Sequence, residues 1–276
     1  MEVNQVDESA GARRVVLLTG GHGVIGGAIA RQILSREGYE VVLVCRSEEG
    51  GREAQERVKR ATGSEHVRFL SCDVSRRREV FDLAARFEGP LHVLINNAAT
   101  TPKRRTVTKE GIELQLATNV LGYVWMMEAF APILSRTRPS RIVNVASWWA
   151  GDLDLDDLEF TRRPYDNNAA YRQSKQANRM LTVAYAARFA ALGISVNACH
   201  PGDVPTQLSR NLGFGGSMSA EEGAKTPAFL ALDPAGVQHT GKYFADSRLA
   251  ACEFSNDVAG IRRLDEICHS YDSRGA

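Results

Sequence analysis

Tyr171 and Lys175 place a phenol and an ammonium four residues apart in the stretch AYRQSK. Side chains four residues apart lie on one face of a helix, so the two groups project together if this segment is helical. A phenol is a poor acid or base at neutral pH, but a neighbouring positive charge favours the phenolate and lowers its pKa. The pair is therefore a candidate for proton transfer, although a Tyr-x-x-x-Lys spacing alone arises readily by chance.

A cluster of glycines follows the first apolar run of the chain. In TGGHGVIGG, Gly20, Gly23 and Gly26 recur every third residue, and Gly21, Gly23 and Gly26 have the G-x-G-x-x-G spacing. Such glycines make a tight turn, let a pyrophosphate approach the backbone and let the next helix pack closely on the strand. The helix N-terminus then offers free N–H groups to the phosphates. The cluster predicts a dinucleotide site, since it joins a predicted strand to a predicted helix.

The end of the second predicted strand distinguishes NAD(H) from NADP(H). An acidic residue there would bind the free ribose 2′-hydroxyl, whereas an arginine accommodates the 2′-phosphate. The strand ends in VLVCRSEEG, with Arg46 and Ser47 at the deciding position and Glu48 and Glu49 in the next helix. We therefore expect NADP(H) to be favoured over NAD(H). His22, inside the glycine loop, is a further candidate contact near the adenosine phosphate.

Short β-branched, apolar runs alternate with longer amphipathic runs, which predicts seven strands separated by helices. Strands that are apolar throughout are buried on both faces, and the alternation favours parallel crossovers. We expect an α/β fold of Rossmann type, with a doubly wound, parallel seven-stranded sheet in a three-layer αβα arrangement. Long helices are predicted over about 109–135 and 169–192, and the polar segment 152–168 is predicted to be an inserted loop.

Length and composition narrow the class of protein. The 276 residues, 43% of them hydrophobic, predict one domain over residues 1–276 with a sizeable core. Residues 1–13 are expected to be a disordered tail. Residues from about 207 to 225 are expected to be a substrate loop, because the stretch GFGGSMS has little to pack.

Charge and cysteine content exclude several kinds of partner. The formal net charge is +1 and Lys and Arg are spread along the chain, which argues against nucleic acid or an anionic membrane. The sequence shows neither an apolar signal segment nor a transmembrane run, so we expect a cytoplasmic protein. The five cysteines form no C-x-x-C pair and are expected to be free thiols, mostly buried, and no metal site is predicted.

Seven motifs follow one another in a familiar order: TGGHGVIG, CDVS, NNAA, TNVLG, NVAS, YRQSK and HPGDVPT. With them, the chain resembles the short-chain dehydrogenases/reductases from about Arg14 to Tyr271. The longer insertion before YRQSK and the stretch GKYFAD resemble the branch of retinol dehydrogenases, WW-domain oxidoreductases and light-dependent protochlorophyllide reductases. Three positions depart from the family pattern. Val24 replaces the usual second glycine, Ala99 replaces the glycine of NNAG, and Asp203 stands beside the nicotinamide where the residue is usually uncharged.

The resemblance implies a role for each site residue. Tyr171 would exchange a proton with the substrate oxygen, Ser147 would donate to that oxygen, and Lys175 would bind the nicotinamide ribose. Asn119 would hold a water that links Lys175 to solvent. His200 is expected to be a packed strand-end residue. Cofactor contacts are expected from Gly20, Gly23, Ile25, Gly26, Asp73, Val74, Asn97, Ala98, Tyr171, Lys175, Pro201, Gly202, Val204 and Thr206.

Two tryptophans directly after Ser147 predict an apolar wall for the substrate. We expect at most one of Trp148 and Trp149 to face the cleft fully, with Phe214 and Met218 closing over it as a lid. The expected reaction is hydride transfer between NADP(H) and an apolar ketone, aldehyde or alcohol. Retinoid-like, steroid-like, long-chain aldehyde and polyketide substrates all stay open.

Two other functions stay open from the sequence. One is a catalytically weak NADP(H)-binding regulatory protein, and the other is a reductase of carbon–carbon double bonds. Many relatives form homodimers through the two long helices, so a homodimer is a further possibility implied by the resemblance. The C-terminal segment NDVAGIRRLDEICHSY is predicted to pack on the partner or over the pocket.

Overall fold

The central sheet of this computed structural model, which describes residues 13–275, has eight strands. They are β1 (Arg14–Thr19), β2 (Tyr39–Cys45), β3 (Val67–Ser71), β4 (Val93–Asn96), β5 (Ser140–Val145), β6 (Ile194–Cys199), β7 (Tyr243–Ala245) and β8 (Arg248–Ala250). Their order is β3-β2-β1-β4-β5-β6-β7-β8, and all neighbours are parallel except β7 and β8. The predicted doubly wound sheet is confirmed. The predicted tail 1–13 lies outside the described residues except for Arg13.

Strand β8 was not predicted from the sequence. It is three residues long and pairs antiparallel with β7 at the edge of the sheet. Asp246 and Ser247 join the two strands, and both have positive φ, as a two-residue hairpin turn requires. The hairpin lacks the Asn-Gly or Asp-Gly signal that would mark it, because a serine occupies the second position.

Two layers of helices cover the sheet. The helices are α1 (Val24–Leu34), α2 (Glu48–Thr62), α3 (Arg77–Ala85), α4 (Gly122–Leu134), α5 (Asn167–Phe189), α6 (Gln207–Asn211), α7 (Ala220–Leu232), α8 (Ala235–Gln238) and α9 (Val258–Ser270). Consecutive strand residues point to opposite layers: Leu18 packs in the core with α1, α2 and α7, and Leu17 in the core with α3, α4, α5 and α9. The predicted αβα layering follows from this alternation.

The two predicted long helices differ in how regular they are. The second is α5, which continues as a 3₁₀ turn, Ala190–Leu192, and agrees with the prediction. The first starts later than predicted, because Val107 and Glu113 form an isolated bridge before it. It then begins with a π-helical segment, Leu116–Leu121, and continues as α4. Segments of this kind are rare and often lie at functional sites, and this one contains Asn119.

The predicted substrate loop 207–225 is wrong as a single loop. Helix α6 begins at Gln207 and α7 at Ala220, and each starts with a capping box, from Thr206 and Ser219 respectively. Only the connection between Asn211 and Ala220 is irregular. The inserted segment 152–168 is mostly turns and irregular chain, as predicted.

The C-terminal helix α9 packs on α5 of its own chain rather than over the cavity. Leu264 and Cys268 are fully buried in the shared core. His269 lies 2.8 Å from the Glu128 carboxylate of α4, which ties the end of α9 to a second helix. Within residues 13–275, no helix combines the length and the apolar character needed to cross a membrane.

Candidate active site

A cavity of about 620 Å³ opens where the parallel strands end. Its position is the crevice beside the point where the strand order reverses, between β1 and β4, where ligands bind in open α/β sheets. The predicted site residues that form its wall are Gly20, His22, Gly23, Ile25, Gly26, Arg46, Asp73, Val74, Asn97, Ala98, Ser147, Trp148, Trp149, Tyr171, Pro201, Gly202, Val204, Thr206 and Phe214.

Four predicted site residues lie outside this wall. Ser47 is the N-cap of α2, and its hydroxyl accepts a hydrogen bond from Gly50 N at 3.2 Å. Met218 packs behind Gly202, at which an added Cβ would lie 2.6 Å from its sulfur. Met218 thus lies next to a residue of the cavity wall, and its predicted place in a substrate lid stays a prediction. Asn119 and Lys175 are buried just behind the wall.

The glycine loop leaves the start of α1 open. Gly23 precedes α1 without any side-chain cap, so the first N–H groups of the helix remain available to a ligand. At Gly26 an added Cβ would lie 2.3 Å from the Gly20 carbonyl oxygen, so the close contact between loop and helix requires glycine there. Val24 is 48% exposed and lines the cavity, so the departure from the family pattern adds a side chain to the wall. This arrangement fits the diphosphate of a dinucleotide.

Three basic side chains meet beside the glycine loop. Arg57, on α2, donates a hydrogen bond of 3.0 Å to the carbonyl oxygen of His22. Desolvation lowers the pKa of His22, and the positive charges of Arg46 and Arg57 lower it further. Arg46 is exposed and lines the cavity after β2, as predicted. Arg57 was not predicted from the sequence, because only the packing of α2 brings it near the loop.

The other predicted cofactor residues are held by the loops that carry them. Asp73 accepts hydrogen bonds from Ser75 N at 3.0 Å and Ser75 Oγ at 2.7 Å. The Asn97 side chain donates to the Thr19 carbonyl at 2.9 Å, and Thr19 Oγ1 accepts from Ala98 N at 3.0 Å. These bonds fix the turns after β3 and β4 at the cavity wall.

Tyr171 and Lys175 lie on the same inward face of α5, one turn apart, as their spacing predicted. Lys175 Nζ is 5.7 Å from the centroid of the Tyr171 ring. Ser147 follows β5 and lines the cavity together with Tyr171. Its hydroxyl accepts from Trp149 N at 3.1 Å, which holds the turn after the strand.

Burial dominates the ionisation of this pair. Burial raises the pKa of Tyr171, the Ser147 hydroxyl beside it lowers that pKa, and the Asp203 carboxylate raises it. Burial also lowers the pKa of Lys175 to about 7. In the protein chain by itself the pKa of Tyr171 is therefore raised and not lowered as predicted, because loss of solvent outweighs the hydrogen bond with Ser147.

A second buried phenol stands behind Lys175. Both Lys175 Nζ and the Tyr123 hydroxyl donate to the carbonyl oxygen of Val145, at 2.9 Å and 3.1 Å. Lys175 Nζ lies 5.5 Å from the Tyr123 ring centroid. Tyr123 was not predicted as a site residue, although it is one helical turn after Asn119.

Asn119 is fully buried, and both the oxygen and the nitrogen of its side-chain amide form hydrogen bonds. Thr100 N donates to Asn119 Oδ1 at 2.8 Å, and Asn119 Nδ2 donates to the Thr100 carbonyl at 3.1 Å. The side chain thereby fixes the loop after β4 to the π-helical segment. The predicted water relay through Asn119 stays a prediction.

Arg179 supports the Ser147 turn from behind. This buried guanidinium, two turns after Tyr171 on α5, donates to the Ser147 carbonyl and, at 2.8 Å, to the Tyr243 hydroxyl. His200 lies close by and accepts from Trp148 N at 3.3 Å. Burial lowers the pKa of His200 to about 4, with a further contribution from Arg179, so its ring is neutral at neutral pH. This placement agrees with a packed strand-end histidine.

The two tryptophans differ in their environment. The Trp149 ring lies 5.9 Å from the Tyr171 ring and 4.7 Å from the Phe214 ring, centroid to centroid. Trp148 is 63% exposed at the rim, 6.5 Å from the His200 ring. We call the region around Ser147 and Tyr171 the substrate end of the cavity. Its apolar wall residues are Leu114, Trp148, Trp149, Leu208, Leu212 and Phe214, and its polar ones include Thr118, His200, Asp203, Gln207 and Ser209.

Comparison with known proteins agrees with this geometry. The model of the family "short chain dehydrogenase" matches residues 14–214. Human retinol dehydrogenase 13 is 32% identical over 84% of this chain and 76% of its own. A probable oxidoreductase of Streptomyces antibioticus is 34% identical over 86% of each chain. The solved structure of an uncharacterized protein from Mycobacterium paratuberculosis has a TM-score of 0.79 at 25% identity, covering 94% of this chain and 93% of its own.

These matches cover most of the chain and include the glycine loop, Ser147, Tyr171 and Lys175. Family members transfer hydride between a nicotinamide cofactor and an alcohol or carbonyl group. The chain belongs to the short-chain dehydrogenase/reductase family, within the branch of the retinol dehydrogenases.

Proposed function

We propose that this protein is an NADP(H)-dependent oxidoreductase that interconverts an apolar ketone or aldehyde and the corresponding alcohol. The observation that carries the proposal is the meeting of Ser147 and Tyr171 in one cavity wall, with Lys175 directly behind the tyrosine. A protein that only binds a nucleotide has no physical need for these three groups in this arrangement.

The chain's own groups supply the proton chemistry. When bound, the cofactor supplies or accepts a hydride at the carbonyl carbon. Ser147 donates a hydrogen bond to the carbonyl oxygen and stabilises the negative charge that develops there. Tyr171 gives its proton to that oxygen during reduction and takes it back during oxidation. Lys175, whose pKa is about 7, is suited to exchange a proton close to neutral pH.

The basic groups beside the glycine loop favour NADP(H). Arg46 lines the cavity where the adenosine ribose would lie, and His22 and Arg57 stand next to it. No acidic side chain from the end of β2 lines the cavity within the described residues. A 2′-phosphate would find hydrogen-bond donors and positive charge, whereas a free 2′-hydroxyl would lack its usual carboxylate partner.

The substrate end favours an apolar compound. Its wall presents two tryptophans, Phe214 and three leucines around the reacting groups. The names of similar proteins, such as retinol dehydrogenase 13, agree with an alcohol or carbonyl substrate of this kind. The wall does not select one compound among retinoid-like, steroid-like, long-chain aldehyde and polyketide ketones.

A turnover assay with two tyrosine variants tests the proposal. Wild type, Tyr171→Phe and Tyr165→Phe are assayed with NADPH or NADH against a panel of apolar ketones and aldehydes, and the products are identified. Tyr165 contacts Pro102 and Gln115 outside the cavity wall and serves as the matched control. We expect Tyr171→Phe to lose at least about a hundredfold in kcat with unchanged NADPH affinity, and Tyr165→Phe to keep its kcat.

Three other outcomes of this assay would contradict the proposal in different ways. Normal turnover by Tyr171→Phe would remove it as the proton donor. NADPH binding without reduction of any carbonyl would favour a regulatory protein. A product reduced at a carbon–carbon bond would assign the double-bond chemistry instead.

A further inference from the structure

Asp203 is the only acidic side chain in the wall of the substrate end among the residues that the structure describes. The remaining charged groups of the cavity wall, Arg46 and Asp73, lie beside the glycine loop and the turn after β3. Asp203 follows Gly202 on the loop after β6 and is exposed to the cavity. Polar residues of the same wall, such as Gln207 and Ser209, are uncharged, so the Asp203 carboxylate influences which charged ligands can enter the cavity.

The backbone at Asp203 is held firmly, whereas its carboxylate is unpartnered within the described chain. Ser217 N and Met218 N both donate to the Asp203 carbonyl oxygen at 2.9 Å. No described residue donates a hydrogen bond to the Asp203 carboxylate or forms an ion pair with it. The side chain is therefore presented on a fixed backbone with its charge available to a ligand.

Among residues 13–275, no basic side chain forms an ion pair with Asp203. His200, three residues before Asp203 in the chain, is neutral because burial and Arg179 lower its pKa to about 4. Arg172, which lies by the Trp149 ring, is paired with Asp152. Asp203 lines the same cavity as Ser147 and Tyr171, and its carboxylate contributes to raising the pKa of Tyr171.

Three aromatic rings of the cavity wall could contact an organic cation. Trp149 and Phe214 stand 4.7 Å apart between ring centroids, and Tyr171 adjoins Trp149. Aromatic faces attract organic cations, most strongly where water is excluded. These three rings and Asp203 line the same cavity. A carboxylate and aromatic rings in one cavity wall can together bind a substituted ammonium group, whose charge pairs with the acid and whose alkyl groups contact the rings.

We propose that Asp203 binds a protonated amine of the substrate, so that the preferred substrates are apolar ketones, aldehydes or alcohols that also carry an ammonium group. This inference rests on the proposed function and names its substrate class. The same carboxylate would repel substrates that carry a carboxylate. An ammonium close to Asp203 would also offset the negative charge that opposes ionisation of Tyr171.

A matched pair of ketones tests this inference. One is a phenyl ketone with a dimethylamino group three carbons from the carbonyl, and the other is its isostere with CH in place of nitrogen. We expect wild type to favour the amine by about tenfold or more in kcat/KM at pH 7. Asp203→Asn should remove the preference, so that the two ketones have nearly equal kcat/KM.

Asp154→Asn serves as the control, because Asp154 pairs with Arg163 outside the cavity wall. It should keep the preference for the amine. Equal turnover of the two ketones by wild type would overturn the inference. An Asp203→Asn variant that loses the same factor on both ketones would also overturn it, since Asp203 would then act on the cofactor or on the fold.

A binding measurement separates this inference from the proposed function. Calorimetric titration of both ketones into the protein with NADP⁺ present requires no turnover. If neither ketone is reduced but the amine still binds at least tenfold tighter to wild type than to Asp203→Asn, the amine site stands and the proposed reaction fails. If the two ketones bind wild type equally, the amine site fails whatever the turnover.

Discussion

Lys175 Nζ donates a hydrogen bond of 2.9 Å to the carbonyl oxygen of Val145, the last residue of β5 and two residues before Ser147. This bond joins the inward face of α5 to the strand that carries Ser147. The Tyr123 hydroxyl donates to the same carbonyl oxygen from α4. One backbone oxygen therefore joins α4, α5 and β5, the three elements around Ser147 and Tyr171.

The buried Lys175 should make stability depend on pH. Its pKa is about 10.5 when exposed and about 7 in the folded chain, so between these values the unfolded state binds more protons and stability rises with pH. Below pH 7 the full cost of a buried ammonium is present. Relative to Lys175→Met, wild type should therefore gain about 2 kcal/mol in free energy of unfolding from pH 7 to pH 9.

Urea unfolding of both proteins at the two pH values measures this difference. The control is Lys225→Met, because Lys225 is exposed on α7. Its difference from wild type should be nearly the same at both pH values. A constant difference for Lys175→Met as well would mean that the lysine keeps its ordinary pKa in the folded protein.

Arg46→Ala should weaken NADPH binding about ten- to a hundredfold and leave NADH binding nearly unchanged. The reason is that only NADPH carries the phosphate to which Arg46 would donate charged hydrogen bonds. Arg57→Ala should have a smaller effect in the same direction, since Arg57 is half-exposed and already donates to His22. Nicotinamide fluorescence titrations with each cofactor measure both effects.

Arg52 provides the control for this pair, because it is exposed on α2 away from the cavity wall. Arg52→Ala should bind both cofactors as wild type does. If Arg46→Ala weakens NADH and NADPH by the same factor, Arg46 does not read the 2′-phosphate.

Arg179 should be needed for turnover more than for stability. It has no carboxylate partner within residues 13–275, so replacing it with methionine removes a buried charge at little net cost in folding free energy. The Ser147 turn loses its support from behind, and kcat should fall about ten- to a hundredfold with unchanged NADPH affinity. Kinetics and thermal unfolding of the same preparation measure the two effects.

Two further measurements test this positioning role: the kcat of Arg179→Lys and the pKa of His200 in Arg179→Met. Arg179→Lys keeps the charge and should recover part of the lost kcat. In Arg179→Met, the pKa of His200, measured by NMR, should rise from about 4 but stay below its ordinary value, because burial remains the larger cause. A loss of stability that parallels the loss of kcat would indicate a purely structural role.

The sequence predicted the cavity wall well, because the wall is built from strand ends. Gly20, Asp73 and Ser147 each follow an apolar run, and parallel strands bring their carboxyl ends to one edge. Arg57 and Asp203 show the limit of this reasoning. Whether Arg57 faces the loop depends on how α2 packs, and what Asp203 can bind depends on what surrounds it.

One missed signal was present in the sequence. Tyr171, Lys175 and Arg179 follow one another at intervals of four along α5, and Tyr123 follows Asn119 at the same interval. Residues four apart lie on the same face of their helix. Arg179 could therefore have been predicted beside Lys175, and Tyr123 beside Asn119. By contrast, β8 and the π-helical segment depend on local backbone geometry that residue spacing does not encode.

Helix α5 is 23 residues long and packs along its length against the sheet, α4 and α9. Tyr171 and Lys175, the proposed proton-transfer groups, lie on this long helix, whereas Trp149 and Phe214 lie in irregular chain beside it. Changes in those walls can therefore alter what the enzyme accepts without disturbing how it reacts. Evolution can therefore change the substrate range through residues such as Trp149 and Phe214, while the residues on α5 stay the same.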